Sequence, residues 1–211
     1  MHIILTGATG TVGNAVLHCC LASPKVTRLS ILTRRQFALP AGNGLDTQKA
    51  ISYQTENITT SLMLMWPSRQ YIRITHDYPL AAAKAFSSLS GSGKFNFVYV
   101  SGEGADPTEK TFTLFGKIKG RVEVALLALP SSSPYTGLRV FNVRPGYRLV
   151  DTIVAPLLRN LMPSQVSPTD VLAKVLVDLA TGDGSPLPPG SGIEAEGRTV
   201  QSIGIRRFAE E

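Results

Sequence analysis

Four groups of residues in this chain have types and spacings with chemical meaning. The first is Gly7-Ala8-Thr9-Gly10-Thr11-Val12-Gly13, which follows a short apolar run and opens an amphipathic one. In such a turn Gly7 permits the tight bend, Gly10 lets backbone amides approach a pyrophosphate, and Gly13 lets the helix lie close to the strand. Gly7, Thr9, Gly10, Thr11, Val12 and Gly13 are therefore the expected cradle for a phosphate group at the positive end of a helix. The second group is Thr33-Arg34-Arg35. An NAD site usually has an acid at this point to hold the ribose hydroxyls, whereas Arg34 can pair with a 2′-phosphate, so NADP is expected over NAD. The third, His76-Asp77-Tyr78, looks like a catalytic cluster, but successive helical residues point to different faces, and a capping or packing role is expected. The fourth, Cys19-Cys20, lies in an apolar helical stretch and is read as core.

The elements that must position these groups alternate. His2–Thr6 reads as a buried parallel strand, 12–22 as a helix and Leu29–Leu32 as a second strand, which makes one βαβ unit. Residues 71–89 are alanine-rich and favour helix. Phe95–Val100 is a strong strand signal, 115–129 a helix with Ile118, Val122, Ala125, Leu126 and Leu129 on one face, and Gly137–Val143 another strand. A last amphipathic helix is expected over Asp170–Ala180, capped by Ser167 or Thr169, with a loop at 182–192 and a short strand in the tail. The middle fits less well. Ile51-Ser52-Tyr53 and Leu62–Trp66 both look like strands, yet the residues between them are fewer than the dozen or so that a parallel crossover needs.

Size and composition bound the remainder. The 211 residues make one domain with a sizeable core, and the net charge of +6 is spread without a basic run, which argues against nucleic acid. No apolar run is long enough for a membrane and no signal segment precedes the first strand, so a membrane is not expected. Two adjacent cysteines make no disulfide framework, which points to the cytoplasm. His2 and His18 lack companions at metal spacing, and no metal site is expected.

With these residues in hand, the chain resembles the atypical short-chain dehydrogenase/reductases, a branch that includes NmrA-like regulators and small Tat-interacting-protein-like oxidoreductases. The Gly-Ala-Thr-Gly turn at 7–10 carries the resemblance, with Phe97–Ala105, Phe115–Glu123 and Val143-Arg144-Pro145-Gly146. It covers most of 1–36 and 70–208, and it implies an α/β fold: a Rossmann-like, doubly wound, mostly parallel sheet with a small C-terminal helical extension and a shortened central βα region. The whole of 1–211 would be a single NAD(P)-binding domain, with 150–211 supplying the substrate side. The resemblance makes Ser101 a catalytic hydrogen-bond donor, Lys119 a catalytic and cofactor-binding residue, and Pro145 part of the turn bordering the nicotinamide. It also implies Phe115 where the family has its tyrosine acid; Tyr147 and Tyr78 are candidates to stand in for it, though a packing role is expected of both. Asn57 falls near the place of an acid beside the adenine. The implied function is NADP-dependent oxidoreductase or epimerase-like chemistry on a small carbonyl or hydroxyl substrate, the alternative being a non-redox NADP-binding regulator or scaffold. Leu157, Leu158, Leu161 and Met162 would line a small pocket, or one shared with a second copy of the chain.

Overall fold

The computed structural model describes residues 1–54, 68–90, 93–146 and 168–210, and it falls into two compact units. The Leu62–Trp66 run, Asn57, Tyr147, Ser167 and the apolar residues Leu157, Leu158, Leu161 and Met162 lie outside the described residues. The fold is α/β and Rossmann-like, with mostly parallel sheets.

The first unit is built on three parallel strands in the order β1 (His2–Thr6), β2 (Arg28–Thr33) and β3 (Ala50–Gln54). Leu29 and Ile31 on β2 are fully buried because that strand is central, whereas Ile3 and Ile4 on β1 are only half-buried. Helix α1 (Thr11–Ala22) joins β1 to β2 and turns Val16, Leu17, Cys20 and Leu21 inward. It ends at Ser23, whose N–H donates to the carbonyls of Cys19 and Cys20 just before Pro24. Helix α1 packs against a distant helix, Thr169–Thr181, whose buried residues include Leu172, Val175, Leu176 and Leu179. Each such side chain contributes about 1.5–3 kcal/mol on burial. The link from β2 to β3 over 34–49 contains only a single 3₁₀ turn, Thr47–Lys49, capped by Asp46. A parallel crossover is thus made without an α-helix, and Ile51-Ser52-Tyr53 is a parallel strand as its β-branched and aromatic residues predict.

The second unit starts with α2 (Ser68–Ile72), widens into a π-helical turn (Arg73–Asp77), and continues as α3 (Tyr78–Ser87). Pro79 has no amide hydrogen for the Thr75 carbonyl, so the α-helical ladder is open there, and Thr75 O accepts a long hydrogen bond of 3.4 Å from Tyr99 Oη. Strand β4 (Phe95–Val100) pairs in parallel with β5 (Leu138–Arg144), which pairs with β7 (Thr199–Gln201); a two-residue strand, β6 (Ile193–Glu194), runs antiparallel to β7. Helix α4 (Leu114–Ala128) is capped by Thr113 Oγ1, which accepts from the N–H of Gly116 at 3.1 Å. Beneath it Ala83, Tyr99, Val122, Leu126, Leu138 and Val140 form the core.

With the distant helix Thr169–Thr181 counted as α5, the tail is α6 (Ser202–Glu210). The single strand expected for the tail is therefore three residues of β7 followed by a helix. Its amphipathic spacing, with Ser202 and Ile205 buried, explains the difference: period 3.6 outweighs the β-branched start.

Candidate active site

The glycine turn closes at the C-terminal end of β1. Gly7 takes a φ of +74°, and its carbonyl accepts the N–H of Gly10 at 2.9 Å. Gly10 is the N-cap of α1, with no side chain satisfying the first-turn amides. A Cβ at position 13 would fall inside the Gly7 carbonyl, so only glycine lets the helix start this close to the strand. Thr9, Gly10 and Thr11 are exposed, and Val12 and Gly13 half-buried. Uncapped amides on an exposed turn of glycines and small residues are what a phosphate requires, and the residues fit a dinucleotide pyrophosphate. Arg34 stands just past the end of the neighbouring strand β2, exposed and without a hydrogen bond or ion pair among the described residues. Thr33 Oγ1 bends the chain there, donating to Arg35 O at 2.7 Å.

In the second unit, four predicted residues gather at the C-terminal end of β4. Ser101 N–H donates to Val143 O at 2.8 Å, and Glu103 N–H to Pro145 O at 3.0 Å, so β4 and β5 stay zipped past their strand ends. Ser101 is buried, yet its Oγ has no partner among the described residues. Lys119 reaches back from α4 and donates from Nζ to Val100 O at 3.0 Å, with its ammonium 4.7 Å from the Tyr99 ring centroid. Phe115, one helical turn earlier, lies over Gly102: a Cβ there would sit 2.8 Å from Phe115 Cζ. The end of β4 thus carries an unpartnered hydroxyl at Ser101, a Val100 carbonyl held by a partly desolvated ammonium, and an apolar ring over Gly102. Pro145 is buried next to them and serves through its carbonyl.

Burial lowers the Lys119 pKa to about 8 from an ordinary 10.5, with Glu123 opposing the shift. A folded value below the unfolded one means the native state sheds this proton first. Between pH ~8 and ~10.5 the unfolded chain binds more protons, so this group's contribution to stability rises with pH. The stability of the chain relative to Lys119→Met should therefore climb between pH 8 and 10 in paired urea titrations. A difference that stays flat across that interval would show that the amine is not desolvated.

Sequence reasoning missed what holds α4 in place. Glu123 is almost fully buried and accepts from Arg144 Nε at 2.9 Å and Nη2 at 2.5 Å, while Arg144 Nη1 donates to Glu194 at 2.9 Å and Gln201 Nε2 also bonds Glu194. The Arg-Pro-Gly turn thus contributes a structural ion pair as well as a loop. The signal that pointed to it was a carboxylate within an otherwise apolar helix face, Val122-Glu123 beside Leu126. Asn142, also buried, has neither side-chain polar atom paired among the described residues.

His76, Asp77 and Tyr78 do not converge: His76 and Asp77, on the widened π turn, meet with Nδ1 and Oδ1 2.8 Å apart, while Tyr78 lies beneath the Arg73 guanidinium. Cys20 is buried, its thiol pushed up to about 12 by burial, while Cys19 is only half-buried; both are free. Among the described residues no His/Cys/Asp/Glu group could hold a metal, and no helix is long and apolar enough to cross a membrane.

Known structures share this architecture. A short-chain dehydrogenase/reductase of the glucose/ribitol dehydrogenase kind from Brucella melitensis superposes with a TM-score of 0.64 at 17% identity, over 97% of this chain and 95% of that one. A 3-oxoacyl-[acyl-carrier protein] reductase with bound NAD from the same organism gives 0.64 at 15% identity, over 96% and 89%. The class of fold is therefore that of the short-chain dehydrogenase/reductases. No family model matches the chain. Botcinic acid biosynthesis cluster B protein 16 of Botryotinia fuckeliana is 35% identical over 154 residues, 61% of this chain and 96% of that protein. Leucinostatins biosynthesis cluster protein T of Purpureocillium lilacinum is 27% identical over 263 aligned positions, covering 100% of this chain and 96% of its own. The chain belongs to the family of the botcinic acid cluster protein.

Proposed function

We propose that the chain is an NADP-dependent oxidoreductase, or an epimerase-like enzyme of the same type, acting on a small carbonyl or hydroxyl substrate in the biosynthesis of a specialised metabolite. The observation that carries this reading is the buried Ser101 hydroxyl, unpartnered among the described residues, one residue after the Val100 carbonyl that the Lys119 ammonium holds at the end of β4. A buried polar group without a partner costs about 1–3 kcal/mol, which a ligand oxygen accepting from Ser101 would recover. The names of the two biosynthesis-cluster relatives support the metabolic setting, and the bound NAD of a fold neighbour supports the cofactor class. The two free thiols suit a reducing, cytoplasmic setting.

Gly7, Thr9, Gly10, Thr11, Val12 and Gly13 would hold the pyrophosphate through the amides of α1, and Arg34 the 2′-phosphate. Lys119 would take a ribose hydroxyl with one of the two N–H groups left after its bond to Val100, and Pro145 would border the nicotinamide. The bound dinucleotide supplies or takes the hydride. Ser101 donates a hydrogen bond to the substrate oxygen and stabilises the charge that builds there. The Phe115 ring over Gly102 would offer an apolar edge to that site.

Calorimetry with NADPH and NADH, followed by NADPH oxidation over an aldehyde and ketone panel, tests this. Arg34→Ala should weaken NADPH by roughly tenfold, the worth of a solvent-exposed charge-assisted phosphate contact, and leave NADH unchanged. Equal losses for both cofactors would remove the case for NADP. The hydrocarbon ring at 115 favours a second reading, an NADP-binding regulator without redox chemistry; NADPH binding with no turnover on any carbonyl would select it.

A further inference from the structure

We propose that Lys119 itself delivers the proton to the substrate oxygen, in place of an aromatic hydroxyl on the preceding turn of α4. This rests on the oxidoreductase reading above. The balance is simple: a hydride from the reduced nicotinamide dinucleotide forms the new C–H bond at the carbonyl carbon. The C=O π pair moves to oxygen, an N–H bond of Lys119 breaks to form the O–H, and the neutral amine is recharged from water. The dinucleotide leaves oxidised by two electrons.

Among the described residues the proton donors around this site are few and each is accounted for; Tyr147 lies outside them. Phe115 covers Gly102 with a ring that has no proton to give. Ser101 holds a buried hydroxyl, unpartnered among the described residues, that can donate a hydrogen bond but does not ionise near neutrality. Tyr99 turns its hydroxyl to Thr75 O, and burial pushes its pKa up. Glu123 spends both oxygens on Arg144. Glu103 is exposed at the strand end. Lys119 remains: one N–H is committed to Val100 O, immediately before Ser101 in the chain, and two are left. Its lowered pKa of about 8 suits a group that must release and regain a proton near neutral pH.

The charged and titratable groups around the ammonium are Glu123 on its own helix, Tyr99 on β4, and Arg144 of β5 acting through Glu123. Tyr71 of α2 acts on Tyr99. The π turn packed on α4 carries Arg73, His76 and Asp77, of which the last two bond each other. Adjoining α3 carries Tyr78 and Lys84.

The test compares wild type, Lys119→Arg, Phe115→Tyr and the double variant. The readouts are NADPH affinity, NADPH-dependent reduction of phenanthrenequinone and nitrobenzaldehyde across pH, and Nζ titration by lysine NMR. Arginine keeps the charge and the ribose contact but cannot release a proton. Lys119→Arg should therefore bind NADPH with affinity of the same order while reducing the carbonyls about 10²–10⁴-fold more slowly. Phe115→Tyr on that background should restore the rate by roughly tenfold or more. Wild-type rate should fall as pH rises through about 8, in step with the Lys119 resonance. A Lys119→Arg variant that reduces at the wild-type rate, or whose NADPH affinity falls with its rate, overturns the proposal, as does a Lys119 that titrates with the surface lysines. If wild type binds NADPH and reduces neither carbonyl while Phe115→Tyr does, the proton-donor role falls and the oxidoreductase site stands. If neither protein reduces them, both readings fall.

Discussion

Glu123→Ala is expected to lower unfolding stability by about 3–5 kcal/mol, because it leaves the Arg144 guanidinium buried without its principal counter-charge. The Glu123 side chain is 2% exposed and that of Arg144 9%, so water cannot replace the lost bonds. Glu194 does not compensate: it reaches Arg144 through Nη1, and its side chain is 46% exposed. Glu194→Ala should accordingly cost no more than about 1 kcal/mol. Urea unfolding followed by circular dichroism measures both. The joint replacement Glu123→Leu with Arg144→Met should recover most of the loss, since removing both charges avoids an orphaned ion. A Glu123→Ala protein as stable as wild type would mean that Arg144 finds another partner. The pair matters for the site because it ties α4, which carries Phe115 and Lys119, to β5 at the Arg-Pro-Gly turn.

Gly13→Val should abolish measurable dinucleotide binding and destabilise the first unit. Even the first added carbon would overlap the Gly7 carbonyl, a backbone atom that cannot swing aside. Relief requires moving the start of α1 away from β1, which opens the Gly10–Gly7 hydrogen bond and disperses the amides facing a phosphate. Overpacking of this kind typically costs ~1–3 kcal/mol, and more where only backbone must give. Calorimetry with NADPH and a thermal melt check the two effects separately. If the valine protein still binds as wild type does, the turn is not the phosphate cradle. Gly10→Ala is the milder control: its Cβ would stand 3.4 Å from the same carbonyl, an ordinary contact.

The glycine turn and Arg34 were visible in the linear chain because each depends on local grammar, whereas Ser101 and Lys119 were reached through the family resemblance. A turn that needs positive φ and no Cβ must be glycine, and strand runs such as Phe95–Val100 announce themselves by continuous apolar and aromatic residues. The helix over 114–128 was equally legible from its period, as was β5. What the chain order hid were relations between residues far apart. Helix α5 packs on α1 although about 150 residues separate them, since buried faces seek one another without regard to sequence distance. Glu123 reads in sequence as the i+4 neighbour of Lys119, and only the fold gives its carboxylate to Arg144.

The sequence alone thus pointed to the α/β class and to a glycine turn at 7–13 suited to a phosphate, because these follow from backbone sterics and periodicity, while the candidate hydroxyl and amine came from the family resemblance. Tertiary structure decided the rest. It left Ser101 Oγ buried without a partner among the described residues, seated Phe115 over Gly102, and desolvated Lys119 against Tyr99. Burial and electrostatic environment are properties of packed neighbours, and no residue carries them alone.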